Sequence, residues 1–123
     1  MSEKIVAYLK ECGVNDGEYF SFLIEKKYKD LNFKLCSVDG FDFIVSHFFD
    51  DSTQSGYGLI KTNDILKKNG CHFIGIGLIE GDDVLCINSL TGTIHVWLIQ
   101  TGNGEYIEVS RSFKSFIEKC VSV

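Results

Sequence analysis

Three histidines (His47, His72, His95) and five cysteines (Cys12, Cys36, Cys71, Cys86, Cys120) are the side chains whose types could do covalent or metal chemistry. A thiolate nucleophile needs a base beside it, and zinc needs soft ligands at short spacing. The chain holds no CxxC, HxxxH or HExxH motif that would supply either. Alternation places Cys71 and His72 on opposite faces of one predicted strand. Four of the five cysteines lie in apolar strand or helix patterns, where a thiol behaves as a small hydrophobe. Neither a disulfide framework nor a zinc knuckle is expected, and the histidines read as structural or surface residues. No metal, cofactor or catalytic residue is assigned.

Two further patterns invite chemistry. Gly75 and Gly77 resemble part of a phosphate loop, but such a loop turns into a helix, whereas this segment runs into another hairpin. A helix approaching the sheet closely, or a bulge, accounts better for both glycines. The carboxylate pairs Asp50/Asp51 and Asp82/Asp83 could hold a divalent cation or do acid–base work. Turns also attract aspartate for backbone reasons, so a turn role or an acidic binding surface is the expected reading. Trp97, Tyr57 and Tyr106 lie near these acids in sequence. They either pack inward or act as the aromatic anchors of such a surface.

These residues need elements to position them. Ser2 can cap a first helix carrying Ile5, Val6, Leu9 and Cys12, with Gly13 as its stop. Asn15 and Glu18 stand at capping-box spacing before a second helix. Phe33, Leu35 and Val38, then Phe41, Phe43, Val45 and His47, alternate about an Asp39-Gly40 turn. The stretch 50–58 is polar and reads as a mobile loop, followed by a short helix over Thr62–Lys68. Phe73–Ile79, Val84–Ile87, Thr93–Ile99 and the run from Tyr106 to Val109 read as four more strands separated by Gly-containing turns. Ser110 can cap a last helix whose Phe113, Phe116, Ile117 and Cys120 fall on one face. The expected fold is α+β: one domain over residues 1–123, an antiparallel sheet of about six strands, with N-terminal helices and a C-terminal helix packed against it.

Composition narrows the class. A chain of 123 residues, 45% hydrophobic, can bury one core and is too short for two. No window approaches the roughly 20 apolar residues that cross a bilayer, and the first residues are too polar for a signal peptide, so the cytoplasm is the expected compartment. Charge is unevenly spread. Leu35–Ile60 holds four acids and Asn69–Ser110 holds five (Glu80, Asp82, Asp83, Glu105, Glu108), with no lysine or arginine in either segment. The other residues carry eight acids against all twelve bases. Such a field repels nucleic-acid phosphates and attracts basic proteins.

The FIGIG strand, the acidic turn and strand GDDVLCIN, the TGTIHVW strand and the closing SFKSFI helix resemble the SUKH superfamily. That group joins the yeast cell-wall-assembly regulators to bacterial immunity proteins that neutralise toxins. Members commonly carry a proline in the first of these strands and an aspartate near the end of the second; this chain has no proline and has Asn88 there. The resemblance implies a non-enzymatic immunity protein that occludes a cognate toxin, a nuclease among the candidates. A regulatory scaffold domain is the alternative. The expected contact residues are Asp50, Asp51, Tyr57, Glu80, Asp82, Asp83, Trp97, Glu105 and Tyr106 on an acidic sheet face. The expected partner is a basic catalytic domain, with neither nucleic acid nor membrane as partner and a homodimer left open.

Overall fold

A computed structural model describes residues 2–30, 34–38, 41–51 and 58–120. The element order is α1 (Ser2–Glu11), α2 (Gly17–Ile24), a short 3-10 turn (Lys27–Asp30), β1 (Lys34–Val38), β2 (Phe41–Phe48), α3 (Leu59–Lys68), β3 (Ile74–Ile79), β4 (Val84–Ile87), β5 (Ile94–Trp97), β6 (Tyr106–Ser110) and α4 (Phe113–Cys120). The strands form one sheet in sequential order, every neighbour antiparallel. This is the α+β arrangement that the periodicity predicts.

Local chemistry sets the helix ends. Asp16, rather than Asn15, caps α2, its carboxylate accepting the Tyr19 N–H at 3.0 Å. Ser112, rather than Ser110, caps α4 by accepting the Ser115 N–H at 3.1 Å. The Ser110 hydroxyl instead donates to the Ser112 carbonyl at 3.0 Å. Helix α3 begins three residues earlier than its apolar spacing suggests, at Leu59, whose N–H donates to the Asp50 carbonyl at 2.8 Å. The Asp39-Gly40 turn and residues 52–57 of the polar loop lie outside the described residues.

One face of the sheet carries Val45, Leu85, Ile87, Ile94, Val96 and Val109 into the main core. There they meet Ile5 and Leu9 of α1, Tyr19, Phe22 and Leu23 of α2, and Phe113 and Phe116 of α4. Phe22 sits edge-on to both Phe48 and Phe113, at 4.9 and 5.0 Å between ring centres, the geometry that aromatic quadrupoles favour. The same core contains a disulfide between Cys36 of β1 and Cys120 of α4, 84 residues apart in sequence with Cα atoms 4.7 Å apart. This corrects the expectation that no disulfide staples the chain. Both cysteines are fully buried, as their apolar patterns suggest, but only the return of α4 over β1 brings them together.

Helix α3 reaches the sheet at Gly75. Asn63, 1% exposed, uses its amide to donate to the Leu59 and Gly75 carbonyls, each at 2.9 Å, and to accept the Gly75 N–H at 2.8 Å. A Cβ on Gly75 would collide with Leu66, and one on Gly77 would stand 2.8 Å from the His47 carbonyl oxygen. The ladder between β3 and β4 shifts register between these two glycines. Close helix approach and a bulge are therefore both present.

Candidate functional site

In a sequential antiparallel meander, alternate connections fall at the same end. Val38 pairs with Phe41, Leu78 with Val84 and Trp97 with Tyr106, so the β1–β2, β3–β4 and β5–β6 connections share one end of the sheet. Glu80 joins them, its N–H donating to the Ile44 carbonyl at 2.9 Å. Gly81 and Asp82 have φ of +91° and +64°, left-handed at both positions as tight hairpins require. Asp42, Glu80, Asp82 and Glu105 are all exposed at this end. A cleft of about 400 Å³ opens at Asp42 and Glu80, which lie on its lining, with Phe43, Ile79 and Leu98 as apolar walls.

Asp83 belongs to the same turn but is 1% exposed, and this corrects its assignment as a contact residue. Its carboxylate accepts the N–H groups of Gln100 and Thr101 at 2.8 and 3.1 Å and the Thr101 hydroxyl. It therefore ties the β5–β6 connection to the β3–β4 turn. A buried carboxylate is tolerable here because several donors converge on it. Glu105 accepts the Asn103 N–H at 2.7 Å and remains exposed.

Trp97 is also inside, 5% exposed, with its indole N–H donating to the Gly104 carbonyl at 2.9 Å. It packs with Val84 and Cys86 in a small second core on the sheet face opposite the main one. Tyr106 covers it, stacked at 5.6 Å with an interplanar angle of 6°. The tyrosine is half-buried; its hydroxyl accepts the His72 N–H at 2.9 Å, and its ring stands edge-on to Phe73 at 4.7 Å. The inward reading of Trp97 holds, and the anchor reading does not.

Asp50 and Asp51 stand apart from the other acids. They follow the far end of β2, about 25 Å from Asp42 at strand rise. Both are half-buried there, and their charges add to the burial that raises the pKa of Tyr28. The expected continuous acidic face is thus resolved into an acidic turn end, with Asp50 and Asp51 at the opposite end. Tyr57 lies outside the described residues.

The cysteines with perturbed acidity lie elsewhere, in the second core. Cys71 and His72 precede β3 rather than alternating within it. The Cys71 thiol is 3.3 Å from the Phe73 carbonyl oxygen and packs on the cluster that contains Cys86. Its pKa is lowered to about 6, chiefly because the Cys86 thiol can donate to the thiolate, with burial opposing. Cys86, fully buried, is held strongly the other way by the same contact and by desolvation. The Cys86 sulfur also lies 3.5 Å from the His95 carbonyl oxygen. His95 bonds the Thr93 hydroxyl at 2.8 Å through Nε2, and burial lowers its pKa. The Cys71–Cys86 contact escaped sequence reasoning because it joins a connector to a strand whose register no local pattern specifies.

Among the described residues no group of three or more His, Cys, Asp or Glu side chains is placed to hold a metal ion. None of their helices is long and apolar enough to cross a membrane. No protein-family model, curated protein or solved structure matches the chain.

Proposed function

We propose that this chain is an immunity-type binding domain that neutralises a basic protein toxin by covering it with the acidic turn end of its sheet. The observation that carries the reading is the gathering of Asp42, Glu80, Asp82 and Glu105 at one end of the sheet, with Asp42 and Glu80 lining a cleft there. The apolar walls suit the methylene stem of an arginine or lysine, and the carboxylates suit its charged head. A nuclease, which displays cations for phosphate, is the kind of toxin such a surface complements. The SUKH resemblance supplies the biological class. The partner is held by contact, without covalent chemistry.

The proposed setting is the cytoplasm. The Cys36–Cys120 bridge can persist there to the extent that burial keeps reductants from its sulfurs, because exchange requires access.

The test is co-expression with toxin genes encoded beside this one, followed by measurement of association between the purified pair. Glu80→Lys and Asp82→Lys should each slow association several-fold at low salt and flatten its salt dependence, leaving dissociation nearly unchanged. Lys10→Glu and Lys114→Glu should change it little. Continued toxicity with every neighbouring candidate would defeat the immunity reading. Tight binding without neutralisation would point to the scaffold alternative.

A further inference from the structure

The second core holds two free cysteines in unlike surroundings. Cys86 is fully buried in the middle of β4. Cys71 is half-buried in the short connector after α3 and packs against the Cys86 cluster from outside. The residues on either side of Cys71 are exposed. Gly70 before it has φ +87° with nothing within 4 Å of where a side chain would begin, and His72 after it is exposed. Part of Cys71 therefore faces solvent, whereas Cys86 has no exposed surface. An accessible thiol backed by a buried one is the layout of a redox-responsive pair.

We propose that Cys71 and Cys86 form a thiol–disulfide exchange site for small disulfides of the glutathione class, with Cys71 attacking and Cys86 resolving the adduct. In the first step the Cys71 thiolate attacks one sulfur of the small disulfide; that S–S bond breaks and one small thiolate departs. In the second step Cys86 loses its proton and its sulfur attacks the Cys71 sulfur, breaking the mixed disulfide and releasing the second small thiolate. The small disulfide is reduced to two thiols, the cysteine pair is oxidised to one disulfide, and the two cysteine protons end on the leaving groups. The lowered pKa of Cys71 fits the attacking role, and the raised pKa of Cys86 fits the thiol that waits.

The product would pin the α3–β3 connector to the centre of β4. That connector also carries the His72 N–H to Tyr106, the residue that roofs Trp97 beside the β5–β6 turn. Oxidation therefore reaches from the second core toward the acidic end. The site itself does not depend on the identity of the partner.

The experiment treats the full-length native protein, with Cys36–Cys120 intact, with oxidised glutathione, and then quenches with acid and maps the peptides by mass spectrometry. Wild type should show a glutathione adduct on Cys71 that rises first and decays into a Cys71–Cys86 cross-linked peptide. Cys86→Ala should let the Cys71 adduct accumulate, and Cys71→Ala should leave Cys86 unmodified. If Cys86→Ala fails to fold, the rise and decay in wild type alone decides the matter. Cys12, also a half-buried free thiol, is the internal comparison. A persistent adduct on Cys71 in wild type, equal labelling of Cys12 and Cys71, or a cross-link from Cys71 to any cysteine but Cys86 would each overturn the proposal.

Discussion

The two faces of the sheet each bring a pair of cysteines together, with opposite results. On the broad face, under α1, α2 and α4, Cys36 and Cys120 are bonded inside the main core and both are fully buried. On the narrow face, Cys71 and Cys86 remain thiols, one half-buried and one sealed. The difference follows from what covers each face. Three helices shield the first, whereas on the second α3, which reaches the sheet at Gly75 and sends Leu66 into the cluster, the connector after it and the Tyr106 ring close over Val84, Cys86 and Trp97. A thick cover removes water and leaves groups that serve stability. A single layer of side chains leaves one edge wet, and a polar or nucleophilic group under it can still react.

The largest effects should separate the two covers by stability. Phe116→Ala removes a fully buried ring from the broad face and should cost about 3–5 kcal/mol, read as the shift in denaturant midpoint at constant slope. Trp97→Ala should fall at or below the lower end of that range although the side chain is larger, because Tyr106 and the connector can settle or water can enter. A greater loss at Trp97 than at Phe116 would mean that the narrow face holds the fold. Opening the bridge comes next. It closes a stretch of 84 residues, for which chain entropy alone gives about 4–5 kcal/mol, with measured values commonly about 2–5 kcal/mol. Cys36→Ala/Cys120→Ala should lower the unfolding midpoint accordingly, and adding reductant to the variant should then produce no further loss.

How much of this contrast could be read from sequence depends on the range of the interaction. Ile94, Val96 and Leu98 were separable from His95 and Trp97 by alternation, and the structure puts the first three at the main core and the last two on the other face. The stripe Phe113, Phe116 and Cys120 on α4 was equally legible, since period alone decides it. Long-range closures were not. Trp97 has the same face assignment whether its face is wet or roofed, and only the folding back of Tyr106 and residues 71–73 decides which. Asp83 and Asp82 are adjacent and chemically identical, yet one turns under the β5–β6 connection and the other outward. The acids of the turn end were visible as a base-free run, but their division between two ends of the sheet required the meander's connectivity.

That neighbouring pair gives a smaller test. Asp83→Ala strands the Gln100 and Thr101 N–H groups and should cost about 1–3 kcal/mol, partly recovered where water reaches the turn. Asp82→Asn, which keeps a residue that tolerates the left-handed φ, should change stability by less than about 0.5 kcal/mol, since its side chain is exposed. Hydrogen exchange at Gln100 and Thr101 distinguishes a local from a global effect: only Asp83→Ala should accelerate those amides selectively. Equal destabilisation by both changes would remove the division between tether and surface.

The smallest effect concerns reactivity and leaves the fold intact. The groups facing the Cys71 thiol are the Cys86 thiol, the Tyr106 phenol and the His72 imidazole, and the net result places its pKa at about 6. The thiolate is the nucleophile, so the rate of alkylation by iodoacetamide should rise as pH increases through about 6 and level off above about 7. An ordinary cysteine, with a pKa near 8.5, is still climbing over that interval. The size of the advantage depends on pH, because a weaker base is also a weaker nucleophile. With a Brønsted slope of about 0.5, Cys71 and an unstructured peptide cysteine should differ by only about twofold at pH 7 and by about tenfold near pH 5.5. Cys86→Ala removes the donor that does most to favour the thiolate and should move the midpoint upward. A lowered pKa that survives Cys86→Ala would assign the effect to the Phe73 backbone, Tyr106 and His72, and the narrow face would then hold one perturbed thiol rather than a working pair.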